Sequence, residues 1–256
     1  MEITLDALFF GKPTVIKDKE FLSTKDYTEP FIKEMEKFTN KFIINVQVPS
    51  QLTFSESSKD LTYNKVWIQA IMPKKDDIDG YQEVYGLVYA LDVKTPVYKI
   101  YRGYINSENG NLYAINPSWI QTFELKPNEK LKYSISELMS KASNFEIILK
   151  KSKSTFVSKE IEDNHKLLGE LIEKSIIYTY DTIGGKVKIS PNDIISAYTA
   201  IFHNTTSKYF LENSKMCSID HYYNAISEQI SNSKDIVNRF EKSLLIGMIL
   251  ELINNE

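Results

Sequence analysis

The sequence predicts an α+β protein with an antiparallel β-meander centre and an α-helical C-terminal third. Three observations carry this. Apolar, β-branched and aromatic runs of strand length succeed one another through residues 61–115. The dipeptide Asn109-Gly110 supplies the positive φ of a tight turn between two of them. From about residue 155 onward the apolar spacing changes from two to three and four, the period of a helix face.

Taken in order, Phe31, Met35 and Phe38 recur at helical spacing, and Pro30 suits the first turn of that helix. Phe42 to Val48 reads as a strand stopped by Pro49, and Leu61 to Met72 as a second strand closed by Pro73. A charged loop, 74–80, leads to Gln82–Val93. There Tyr85, Leu87, Tyr89 and Leu91 share one face and Val84, Gly86, Val88 and Ala90 the other. Both faces are apolar, which predicts a central strand covered on both sides. Val97 to Ile105 and Leu112 to Ile115 complete the meander, and Asn116-Pro117-Ser118-Trp119 reads as a turn into a short helix.

The basic, Ser-rich stretch Lys150 to Ser154 is the expected internal boundary. It gives a β-rich α+β domain over 1–150 and an α-helical region over 151–256. Within the latter, Glu160 to Ile177 has helical spacing and Gly184-Gly185 marks a turn. Ser190-Pro191-Asn192-Asp193 combines an N-cap serine, a first-turn proline and an acid, so a helix is expected to about His203. Ser218 and Ser233 cap two further helices, the last over Lys234 to Ile253.

Composition narrows the function classes. The chain has 29 lysines but only two arginines, Arg102 and Arg239, with three histidines and one cysteine. That thin inventory removes most standard routes to catalysis, and no enzymatic activity and no cofactor are expected. Net charge is −3; residues up to 155 hold 21 basic against 20 acidic side chains, and the remainder 10 against 14. Neither half has the basic excess of a duplex-binding domain. The opening residues lack a signal-peptide pattern, and no apolar run approaches the length of a membrane span. The abundance of Ile, Lys and Asn, all with AT-rich codons, points to an AT-rich genome.

The possible motifs are few. Cys217 and His221 have C-x-x-x-H spacing, one turn if helical, but a metal site needs more ligands. A semi-buried cysteine beside a capped helix start is the preferred reading. Asp76, Asp77 and Asp79 before Gly80 fail the calcium-loop pattern and fit a solvated hairpin loop. Gly184-Gly185-Lys186 lacks the spacing of a phosphate loop.

Two surfaces stand out instead. Tyr85, Tyr89, Lys99, Tyr101, Arg102, Tyr104 and Tyr113 form a candidate binding surface on one sheet. Aromatic strand faces beside cations stack single-stranded bases; tyrosine also suits half-buried strands and protein interfaces. The last helix is apolar around much of its circumference, so either it is central to the fold or it docks on another subunit through Leu245, Met248, Ile249 and Leu252.

The segment Tyr101-Arg102-Gly103-Tyr104, then Tyr113-Ala114-Ile115-Asn116-Pro117, then Gln121 to Leu125 and Lys126-Pro127, resembles phage- and plasmid-encoded proteins of unassigned function. The resemblance covers about residues 82–140, with a looser echo in Ala197 to Leu250. It implies a phage origin, in the host cytoplasm or the virion, and brings no reaction or site residues. The leading expectation is a non-enzymatic interaction protein, a virion or assembly component acting through protein–protein contacts as a homo-oligomer or larger assembly, with no membrane partner. The alternatives are a single-stranded nucleic-acid-binding module using the Tyr-rich sheet, and a host-defence inhibitor or small-molecule sponge.

Overall fold

The computed structural model describes residues 14–16, 19–39, 41–47, 65–73, 78–91, 96–113, 117–160, 190–231 and 236–255. The expected helix over Glu160 to Ile177, the Gly184-Gly185 turn, and Asp76 and Asp77 lie outside these residues. The fold is α+β. It divides into two compact units: Met1–Ile105, Ser118–Lys141 and Lys234–Val237 form one, and Asn106–Pro117, Ala142–Ser233 and Asn238–Glu256 the other. The expected boundary at Lys150 to Ser154 is corrected, because those residues are helical. Charge and serine content mimic a linker there, but the last turn of a helix also favours lysines, which offset its dipole.

In the first unit, β1 (Thr14–Ile16) and β2 (Lys19–Phe21) form a small antiparallel pair. Helix α1 (Thr24–Phe38) starts at Ser23, whose hydroxyl accepts from the Asp26 amide while Asp26 returns a bond to the Ser23 amide. This capping box sets the start seven residues before Pro30, which therefore sits inside the helix rather than in its first turn. The sheet runs β3 (Ile43–Gln47), β4 (Lys65–Ile71), β5 (Tyr81–Ala90), β6 (Val97–Asn106), with β3 and β4 each antiparallel to the next strand. Asp79 and Gly80, both at positive φ, make the turn into β5.

One face of this sheet, carrying Val66, Ile68, Tyr85, Leu87, Tyr89, Tyr98 and Ile100, packs with Tyr27, Phe31 and Met35 of α1. Ile135 and Leu138 of α2 (Ile135–Ser140) join the same core. The alternation expected for β5 is thus observed, and β5 lies between β4 and β6 as a central strand. After a short 3-10 turn at Pro117–Trp119 the chain forms β8 (Ile120–Glu124), antiparallel to β6; the expected short helix is only that single turn.

In the second unit the Asn109-Gly110 turn is present, Gly110 lying at φ 73°, and β7 (Leu112–Tyr113) follows it. Among the described residues its helices include α3 (Phe145–Ser154), α4 (Pro191–Phe202) and α5 (Ile219–Ser231). Helix α4 has the expected Ser190 cap, completed by Asp193 as a capping box, and ends at His203. Helices α3 and α4 both pack on α5. Helix α6 (Ile236–Asn255) buries Phe240, Leu244 and Ile246, and its Lys242 meets Asp193 of α4 at 2.9 Å. A two-stranded ribbon pairs β9 (Phe156–Ser158) with β10 (Met216–Ser218). Among the described residues, no helix is long and apolar enough to cross a membrane.

Candidate interaction surface

The Tyr-rich candidate surface is interior. Tyr85, Tyr89, Lys99, Tyr101, Arg102, Tyr104 and Tyr113 are all buried, Lys99 at 0 % exposure. A base cannot stack on a ring with no open face, so the expectation of a binding platform on these strands is corrected. The physical reason is that both faces of β5 and β6 are covered, and a half-exposed sheet is what that platform required.

Several of these side chains have internal contacts. Arg102 donates through Nε to Glu83 at 2.5 Å and through Nη1 to the Lys141 carbonyl at 2.5 Å, just past the end of α2. Its guanidinium carbon lies 5.2 Å from the Trp119 ring centre. The Tyr85 hydroxyl donates to the same Glu83 carboxylate at 2.9 Å. Burial, with Glu83 close by, pushes the Tyr85 phenol well above its ordinary value. Tyr101 crosses β5 over Gly86, where a Cβ would sit 2.2 Å from the phenol ring, and accepts from Trp67 Nε1 on β4 at 2.7 Å. Asn45 of β3 donates to Gln69 of β4 at 3.0 Å. In the second unit Tyr113 stacks on Tyr223, ring centres 3.6 Å apart, with Phe145 edge-on at 5.7 Å.

The described cysteine and histidines are Cys217, His203 and His221. Cys217 lies on β10 and His221 on α5, so they do not share a helix face; the one-turn reading is corrected. Cys217 is 2 % exposed, and burial pushes its thiol up to about 12. That is the opposite of what a nucleophile needs. His221 Nε2 is 2.8 Å from the Tyr209 carbonyl, tying the 204–215 loop to α5. His203 Nε2 is 3.3 Å from the Tyr198 hydroxyl, which itself donates to the Lys159 carbonyl. His165 lies outside the described residues. Among the described residues no cluster of three His, Cys, Asp or Glu side chains is placed to hold a metal ion.

Apolar side chains reach solvent on the β9–β10 ribbon. Its register pairs Phe156 with Ser218, Val157 with Cys217 and Ser158 with Met216. Strand alternation therefore puts Val157 and Cys217 on one face, where both are buried, and Phe156 and Met216 on the other. Phe156 is 55 % and Met216 49 % exposed. The pairing is extended by Lys159 N–H to the Lys215 carbonyl at 2.6 Å and Ile219 N–H to the Thr155 carbonyl at 2.9 Å. Ile147, 71 % exposed, lies on α3, which leads directly into β9 and contacts β10. Lys150 and Lys151 near the end of α3 and Lys215 just before β10 are exposed and make no ion pair among the described residues.

Sequence periodicity missed this surface because three-residue strands have no measurable period and the partners lie some sixty positions apart. The available signal was the pair of short triplets Phe-Val-Ser and Met-Cys-Ser, each apolar and ending in serine. Of the expected oligomer contact on α6, Leu245 is 4 % exposed and so lies inside the chain. The side chains of Met248, Ile249 and Leu252 lie outside the described residues.

The ribbon therefore presents Phe156 and Met216 to solvent on one face while its other face is buried. No family model matches this chain, and neither does any curated protein or solved structure.

Proposed function

We propose that this chain is a non-enzymatic, phage-encoded interaction protein, a virion or assembly component that works through protein–protein contacts. The observation that carries the reading is the outward pair Phe156 and Met216 on a ribbon whose other face is fully used by the core. Large apolar side chains held outward on a hydrogen-bonded frame are the usual anchors of protein interfaces. The resemblance at Tyr101 to Tyr104 and Tyr113 to Pro117 supports the phage origin, and with it a place in the host cytoplasm or the virion.

A second reading has one observation in its favour. Exposed Phe156 is close in sequence to Lys151, and Lys215 precedes its partner strand; an exposed aromatic with exposed lysines is the combination that single-stranded nucleic-acid sites use. Light scattering over a range of protein concentrations, with and without a single-stranded oligonucleotide, separates the two. A closed oligomer that ignores the oligonucleotide is expected. A monomer that takes up the oligonucleotide, with affinity falling steeply in salt, contradicts the proposal.

A further inference from the structure

Strand β8 pairs with β6 along one edge only, from Val97↔Glu124 to Tyr101↔Ile120, and no described strand covers its other edge. Its amides and carbonyls on that side form a template for one more strand. The end of β8 and the loop that follows it line a hollow of about 240 Å³. Tyr98, Phe123, Leu125 and Leu131 give it apolar walls, and Lys126 and Lys130 stand at its rim.

The hollow is held open by fixed parts. The Tyr98 hydroxyl accepts from the Lys132 amide at 2.8 Å and donates to the Lys132 carbonyl at 2.9 Å. Phe123 stacks on Tyr98, ring centres 5.0 Å apart and nearly parallel. The Asn128 amide, in a turn with φ at 54°, donates to the Glu20 carbonyl and ties the loop to β2. A volume below the ~300 Å³ at which small-molecule sites begin suits one inserted side chain better than a whole cofactor.

The charges select the occupant. Glu129 and Lys132 lie 2.5 Å apart and neutralise each other. Lys126 and Lys130 are exposed and make no ion pair among the described residues; Glu124 shares the lining with them, and Glu129 also lies within electrostatic reach of Lys126. Lysines beside a bare edge deter indiscriminate strand pairing, and an incoming segment that brings carboxylates relieves that deterrent.

We propose that this groove receives an extended, acidic segment of a partner protein, which adds a strand to β8 and seats one aromatic or branched aliphatic side chain in the hollow. This rests on the reading of the chain as a protein-interaction module, and it names a second contact, separate from the ribbon.

The test uses the full chain and two fluorescein-labelled heptapeptides, Asp-Val-Asp-Phe-Asp-Val-Asp and its Lys-for-Asp counterpart. Anisotropy reads binding, and hydrogen exchange reads the amides of residues 120–124. The acidic peptide is expected to bind about tenfold more tightly than the basic one and to protect the β8 amides. K126E with K130E, both at exposed positions, should reverse the preference without lowering the melting temperature. Absence of binding by the acidic peptide, binding unchanged in the double variant, or binding without protection at 120–124 overturns the proposal. If the groove fails while oligomers still form, the ribbon reading stands; if the peptide binds a chain that stays monomeric, the ribbon reading fails and the groove stands.

Discussion

The pair β5–β6 and the ribbon β9–β10 are both hydrogen-bonded strand pairs with apolar side chains on alternate positions, and they end in opposite environments. On β5 and β6 even Lys99 and Arg102 are buried. On β9 and β10 one face is buried and the other presents Phe156 and Met216 to solvent. The difference teaches that residue type marks a strand as able to bind, while the number of covered faces decides whether it does. Ten-residue central strands are long enough to carry core on both faces. A three-residue ribbon has only enough length to anchor one.

The comparison breaks first at Gly86. Alanine there puts a methyl 2.2 Å from the Tyr101 ring. We expect Gly86→Ala to cost about 3 kcal/mol in a urea titration, the upper range for overpacking. The same change at Gly110, where nothing lies within 4 Å but φ is 73°, should cost about 1 kcal/mol. Equal costs would mean that Tyr101 does not cross β5 at that point. Next comes Tyr101→Phe, which removes the acceptor of the Trp67 indole N–H inside the sheet. Leaving that donor unpaired should cost about 1–3 kcal/mol. A neutral result would place water or another acceptor beside Trp67.

Alkaline pH acts on both regions. Burial raises Tyr27 to about 12 from 10.0 and Cys217 to about 12 from 9.0. A raised folded-state value for an acid means that the fold prefers the neutral form. The stabilisation is therefore complete below pH 9 and is lost as pH climbs toward 12. The urea midpoint should fall steadily above pH 9, and Cys217 should react with a thiol reagent only as the chain unfolds. A midpoint flat to pH 11 would argue against burial of these groups. The smallest effect is expected on the ribbon: Phe156→Ser with Met216→Ser should change stability within about 0.5 kcal/mol, because both side chains already face water.

Much of the central sheet was legible because long alternation is a strong signal. The turn at Asn109-Gly110 and the Ser190–Asp193 helix start were legible because each rests on one local backbone requirement. The capping box at Ser23 and Asp26 was equally readable and puts the start of α1 ahead of Pro30. Strands β8, β9 and β10 were not legible, since three to five residues show no period and their partners are chosen by tertiary packing. The tyrosine surface failed for a reason present in the sequence itself. The apolar residues on both faces of β5 predicted a covered strand, and a covered strand has no ring to offer. Lys99 and Arg102 look like phosphate anchors by residue type; Arg102 instead braces Glu83 and the chain just past the end of α2.

The central claim is that the chain works through the outer face of the β9–β10 ribbon. The most direct measurement is the mass of the Phe156→Glu, Met216→Glu variant by light scattering, beside the unaltered protein at equal concentration and with melting curves for both. The account predicts an oligomer for the unaltered chain and a monomer, equally stable, for the variant. An oligomer of unchanged mass in the variant would contradict it.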